Sequence, residues 1–262
     1  MQMEVWRGRP LPPSNYVVSG RKVFVHVSAY PINTVYTPTP TTTPTLTPTA
    51  TATYTHTATP VPAQSGRINV LRFKGISNIG GYSEIETGDP TIRSDPTGQW
   101  SYMRLGAQRI IKGNVYYIEI GWLKGAQSQS NFIPRSYWAS RNINGITDQD
   151  WGGYPGIGIA YNYVVKKTSS NTWSFYFNDL NTPVATVWVG WDNADRIFSG
   201  GEIAGGGNQG MGYSENNNVQ FLDPMSSSWL PACNTSLQND DPAKFFVLAG
   251  SNCNSWIVYG NN

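Results

Sequence analysis

The sequence predicts an all-β protein, a two-sheet antiparallel sandwich of jelly-roll or concanavalin-like type. Three observations lead there. Aromatic residues make up 13% of the chain, as many as all charged residues together, and Gly is abundant; Tyr, Trp, Thr, Asn and Gly at the expense of Lys and Glu suit pleated sheets rather than helices. Short runs with period-two alternation recur from about residue 65 to the end of the chain, and none shows a 3.6-residue period. Turn-forming clusters (GDP, DPTG, KGN, SSNT, NDLNTP) separate the runs, as a sandwich or barrel requires.

Taken in order, residues 1–35 contain one or two strand-like runs within YVVSGRKVFVHVSAY. The stretch is short for an independent core and reads as the remnant of an upstream β module. The opening MQMEVWRGRPLPPSNYVV lacks the apolar core of a signal peptide, which a truncated start would explain. Residues 36–64 form a Thr/Pro-rich linker, with more than half of residues 37–60 being Thr. Such a segment cannot bury enough apolar surface to offset its ordering entropy and is expected to be extended and PPII-rich. It resembles the Thr-Pro linkers of bacterial extracytoplasmic modular proteins, so a secreted or cell-surface setting is expected. Residues 65–262 are the sandwich domain. Its expected strands are RINVLRF, YSEIET, QWSYMRLG, VYYIEIGW, RSYWAS, IAYNYVV, TWSFYF, ATVWVGW, RIFSGGEI, NNVQFL and SWIVYG. Several carry aromatics on both faces; packing explains most of these, and an aromatic groove on one sheet would explain the rest.

The inventory removes many chemistries. A net charge of +2 points to neither nucleic acid nor an acidic tail, and no apolar run approaches the roughly 20 residues of a membrane helix. The two histidines, His26 and His56, precede the domain, so a Ser-His-Asp triad or a His-ligated zinc is excluded within it. No metal and no other cofactor is expected, and a monomer is. Cys233 and Cys253 are the two cysteines; an even count outside the cytoplasm favours a disulfide, with two free thiols as the alternative. The glycines of GGEI and AGGGNQG lack phosphate-binding spacing and read as bulges or turns.

What remains are carboxylates. Most Asp residues fall in turns, and Glu84 and Glu86 look like the wet face of an ordinary strand. Glu119 and Glu202 differ. In VYYIEIGW, Tyr116, Ile118, Ile120 and Trp122 share the core face, so Glu119 shares the other with Tyr117 and Gly121. In RIFSGGEIAGG, Ile197 and Ile203 face the core, and Phe198, Gly200 and Glu202 face away from it. Glycines at such positions leave room for a second chain to approach. The plainer reading is two surface glutamates paired with Arg or Lys.

The domain resembles the neprosin family of glutamic peptidases. The matching motifs, in order, are Glu119-Ile120-Gly121-Trp122, Tyr137-Trp138, Lys166-Lys167 leading through Asn171 to Trp173, Gly200-Gly201-Glu202 and Met211-Gly212-Tyr213-Ser214. The order is kept, and the match as a whole spans roughly Gly81 to Phe221. The family's cysteine-bearing segment between the glutamates is shorter here and lacks cysteines, and its Gly-Tyr-Trp-Pro stretch is matched by Val189-Gly190-Trp191-Asp192. The resemblance implies a sandwich with Glu119 and Glu202 facing each other over a concave sheet, and an acid-acting, metal-independent endopeptidase. Polypeptide would be the substrate, bound by Tyr117, Trp122, Tyr137, Trp138 and Gln99, with Tyr117, Tyr137 and Gln99 as candidate oxyanion donors.

The chemistry stands without His or metal. One carboxylate activates water and a second, protonated carboxyl serves the leaving amine; two close carboxyls do not both ionise easily, which separates their roles. The pair is expected on neighbouring or facing strands with carboxyls within about 7 Å, close enough to share a water. Two other classes fit the same residues: a glycoside hydrolase, acting on polysaccharide through the same carboxylates, and a carbohydrate-binding or surface-adhesion module without catalysis. If the two glutamates lie more than about 10 Å apart, or an arginine pins either of them, the binding-module reading wins.

Overall fold

The computed structural model describes residues 67–92, 100–125, 130–204 and 210–260. The segments expected as an upstream module and a linker, and the candidate residue Gln99, lie outside the described residues. Within them the chain is all β. In chain order the strands are β1 Arg67–Asn78, β2 Gly80–Glu86, β3 Trp100–Ile111, β4 Asn114–Gly125, β5 Ser130–Arg141, β6 Thr147–Trp151, β7 Ala160–Ser169, β8 Thr172–Phe177, β9 Ala185–Trp188, β10 Ala194–Ala204, β11 Ser214–Leu222, β12 Trp229–Pro231, β13 Ser236–Asn239, β14 Phe245–Ala249 and β15 Trp256–Gly260.

Every expected run forms a strand. Four strands were not foreseen: β6, β12, β13 and β14. Three of them, β6, β13 and β14, are terminal strands of a sheet, and β12 pairs with β11 off the main strand order; burial there is slight and alternation weak. The run ATVWVGW is cut short at Trp188. Gly190 turns the chain there with φ of 80°, and the Trp191 carbonyl accepts from Trp173 Nε1.

Two antiparallel sheets result. One has seven strands in the order β13-β1-β10-β3-β4-β5-β6; the other runs β14-β15-β11-β2-β7-β8-β9, with β12 paired to β11. Their inner faces make the core. Met103, Leu105, Ile118, Ile120, Trp122, Ile197 and Ile203 come from the first sheet; Ile85, Tyr163, Val165, Trp173, Phe175 and Phe221 come from the second, all at most 4% exposed. Each such side chain contributes about 1.5–3 kcal/mol on burial. The aromatics of TWSFYF divide accordingly: Trp173 and Phe175 are core, and Tyr176 on the outer face lies under the Lys166 ammonium. The groove lies on the other sheet.

Cys233, just past β12, is disulfide-bonded to Cys253 in the loop before β15, their Cα atoms 5.0 Å apart. The bond closes a separation of 20 residues and ties the last strand to the sheet, a constraint of about 3 kcal/mol by loop entropy.

Candidate active site

The outer face of the seven-stranded sheet can be read as rows across the strands. Antiparallel pairing sets Leu71 (β1), Gly200 (β10), Arg104 (β3), Gly121 (β4) and Tyr137 (β5) side by side. Phe73, Phe198, Gly106, Glu119 and Ala139 make the next row in one direction; Asn69, Glu202, Tyr102 and Leu123 make the next in the other. Arg104 therefore sits at the centre, with glycines on both flanks. Neither glycine tolerates a side chain. A Cβ at Gly121 would run into the Met103 carbonyl and the Arg104 backbone, and Gly200 has φ of 145° with the Leu71 backbone against it. The absence of side chains beside Arg104 leaves its guanidinium open to glutamates reaching in from the rows above and below.

Both do. Arg104 Nη2 donates to Glu202 Oε2 at 2.6 Å and to Asn69 Oδ1 at 3.1 Å. Nη1 lies 3.1 Å from Glu119 Oε2 and donates to Tyr102 Oη at 2.7 Å. Nε is buried and has no partner among the described residues. The rings of Tyr102 and Phe198 lie 4.7 and 5.3 Å from the guanidinium carbon. Glu202 also accepts from Arg67 Nη1 at 3.3 Å, and Tyr137 Oη donates to Glu119 Oε1 at 3.4 Å. The three central charges are buried: Arg104 is 7%, Glu119 7% and Glu202 4% exposed. They lie at the floor of a groove of about 670 Å³ that Tyr117 also lines.

Glu119 and Glu202 are thus brought together, but not on neighbouring strands. β3 runs between them and Arg104 bridges them. The fixed guanidinium fork puts the two gripping oxygens at most about 8 Å apart. Burial pushes Glu119 above the ordinary carboxylate range; Arg104 opposes the shift and Glu202 adds to it. For Arg104, burial disfavours the charge, but Glu119 and Glu202 outweigh it and hold the guanidinium protonated. Burial, reinforced by Glu119, keeps the Tyr137 hydroxyl protonated; Tyr102 is likewise held protonated, by burial against the pull of Arg104. Both phenols therefore keep their protons at acid and neutral pH.

Of the other expected contacts, Tyr117 and Tyr137 stand beside Glu119. Trp122 and Trp138 do not. Trp122 is fully buried in the core and donates Nε1 to the Glu86 carbonyl. Trp138 pairs with Ile120 and stacks on Phe175 of the opposite sheet with centroids 5.0 Å apart. Alternation puts both on the side away from Glu119. Sequence reasoning missed Arg104, Tyr102, Asn69 and Arg67. Arg104 carried the same signal as Glu119: a charge in the middle of a strand, between Met103 and Leu105 of the core, in a chain with few charges. Among the described residues no group of three His, Cys, Asp or Glu is placed to hold a metal ion.

No protein-family model matches the chain, and no curated protein matches it in sequence. Solved structures do. A scytalido-glutamic peptidase bound to a peptide-based transition-state analogue aligns over 76% of this chain and 99% of its own, with 8% identity and a TM-score of 0.49. SCP-B, a member of the eqolisin family of peptidases in complex with the tripeptide Ala-Ile-His, aligns over 76% and 99%, with 8% identity and a TM-score of 0.47. A Bacillus licheniformis β-glucanase aligns over 75% and 78%, with 8% identity and a TM-score of 0.35. The similarity thus extends to both peptidases and glycan-acting sandwiches, and at these scores it assigns no role to any residue of this chain.

Proposed function

We propose that the domain is an acid-acting, metal-independent endopeptidase of the glutamic type, related to the neprosin family and working outside the cytoplasm. The observation that carries this reading is the convergence of two buried carboxylates on one groove floor, with Glu119 pushed by burial toward its protonated form. Glu119, protonated, is the general acid. Glu202 is the general base: it takes a proton from water as the oxygen bonds to the scissile carbonyl carbon. Glu119 then gives its proton to the amide nitrogen as the C–N bond breaks, and proton exchange with solvent resets the two groups. Tyr137 or Tyr117 donates to the oxyanion. Because the acid must hold its proton, the rate falls as pH rises through the raised pKa of Glu119.

A second reading has its own observation. Arg104 grips both glutamates and Arg67 grips one. An arginine-pinned pair favours a non-catalytic binding groove, whose ligand would be carbohydrate or another surface. Peptide cleavage at acid pH separates the two. The peptidase reading expects hydrolysis in the purified full chain that is lost in Glu119→Gln and in Glu202→Gln while both still fold. Absence of hydrolysis from pH 3 to 7 across a diverse peptide library, with glycan or peptide binding retained, would establish the binding groove instead.

A further inference from the structure

The charge of the groove exceeds what its glutamates need. Four arginines line it, Arg67, Arg104, Arg141 and Arg196, against Glu119 and Glu202. Arg104 and Arg67 are spent on the carboxylates. Arg141 and Arg196 make no ion pair with any described residue. Pairing places them in one row across four adjacent strands: Arg196 on β10, Gln108 on β3, Tyr117 on β4 and Arg141 on β5. All four side chains line the groove. Arg196 is set in place by the Phe73 ring, 5.1 Å from its guanidinium carbon. The row lies two residues along the strands from Glu119, about 7 Å, and four from Arg104, about 13 Å. Its ends are three strands apart, about 14 Å. Unpaired guanidiniums flanking an amide and a phenol make a shelf for carboxylates, which arginine takes in fork geometry.

We infer that the groove selects an acidic polypeptide, Arg141 and Arg196 receiving Asp or Glu side chains that lie two to four residues from the bond held at Glu119 and Glu202. An extended chain advances about 3.3 Å per residue, so the span from the glutamates to the row fixes that interval. Polypeptide is favoured over an anionic polysaccharide because the row offers two separate charge sites about 14 Å apart with an amide and a hydroxyl between them, which suits carboxylates four residues apart on one face of an extended strand. The inference rests on the proposed peptidase reading for its register but not for its binding.

The test uses the full chain and paired peptides that differ in Glu against Gln at those positions. Cleavage is followed at about pH 5, where a free Glu carboxyl is mostly ionised, at low and high salt. The Glu peptide is expected to be cleaved with about five- to tenfold higher kcat/KM, the size of two partly exposed ion pairs, with the difference in KM and shrinking in salt. In the Arg141→Gln/Arg196→Gln double variant the ratio falls to near one. Equal cleavage of both peptides by the wild type, or a preference that survives the double variant, overturns the inference. If neither peptide is cleaved, fluorescence anisotropy of the same labelled peptides decides. A Glu preference lost in the double variant upholds the acidic-ligand selection while the catalytic reading fails. Arginine-dependent binding of a polyuronate without peptide binding overturns the polypeptide assignment.

Discussion

The two sheets carry glutamates on both of their outer faces, and the protein treats them in opposite ways. On the eight-stranded sheet, Glu84 and Glu86 stand on β2, half exposed. Glu84 accepts from the Tyr82 hydroxyl, and Glu86 is raised by burial and by neighbouring Glu215. On the seven-stranded sheet, Glu119 and Glu202 are almost fully buried around Arg104. Local alternation is the same in both places. What differs is the neighbourhood across the strands. Tyr82, two residues away on the same strand, and Asn162, across the strand pair, are ordinary neighbours of Glu84, whereas the glycines beside Arg104 clear space that the long side chains fill by lying toward one another. A carboxylate becomes a candidate for chemistry through its row neighbours, not through its own strand.

The largest effect that would break this contrast is on activity. Glu202→Gln and Glu119→Gln are each expected to lower peptide hydrolysis by about 10²–10⁴-fold, the usual weight of a general acid or base, and the double variant is little worse than either single because the two act as a unit. Glu84→Gln, measured in the same assay, should leave the rate within about twofold. A Glu119→Gln variant with near-wild-type kcat would reduce the seven-stranded face to the status of the other.

Next comes stability. Arg104→Met leaves two buried carboxylates without their shared cation and should cost about 3–5 kcal/mol in urea unfolding, whereas Lys166→Met on the opposite outer face should stay within about 1 kcal/mol. Comparable losses at both sites would show that the Arg104 network is no more buried in effect than a surface contact. Reducing the Cys233–Cys253 bond, which belongs to the eight-stranded side, should cost about 3 kcal/mol. Its loss is expected to loosen β15 without touching groove binding, as hydrogen exchange on the β15 amides can show.

The smallest effect sharpens the comparison through pH. The pKa of Glu119 is raised in the folded state, so the folded chain holds that proton better than the unfolded one. Its contribution to stability is fully present below the ordinary Glu pKa of about 4.3 and is lost as pH rises through the folded value. The stability difference between wild type and Glu119→Gln should therefore shift against the wild type between pH 4 and pH 7. A difference that stays flat would show that Arg104 cancels the burial entirely.

Much of this was determined by the sequence alone. Composition and period-two alternation are local properties, and they sufficed for the all-β class, for the strands with a strongly apolar face, and for the outward placement of Glu119 and Glu202. The same alternation also put Trp122 opposite Glu119. The structure places Trp122 and Trp138 in the core, where their strand partners Met103 and Ile120 face. The weak strands β6, β12, β13 and β14 escaped because edge pairing depends on a neighbouring strand rather than on a buried face. Only the tertiary structure decided which distant residues share a row. Register is set by contacts between strands far apart in sequence, and it alone brings Gly121 and Gly200 to the flanks of Arg104 and both glutamates to its guanidinium. It also aligns Arg196, Gln108, Tyr117 and Arg141 into one shelf. No window of the chain contains that arrangement, because hydrogen bonding across β10, β3, β4 and β5 creates it.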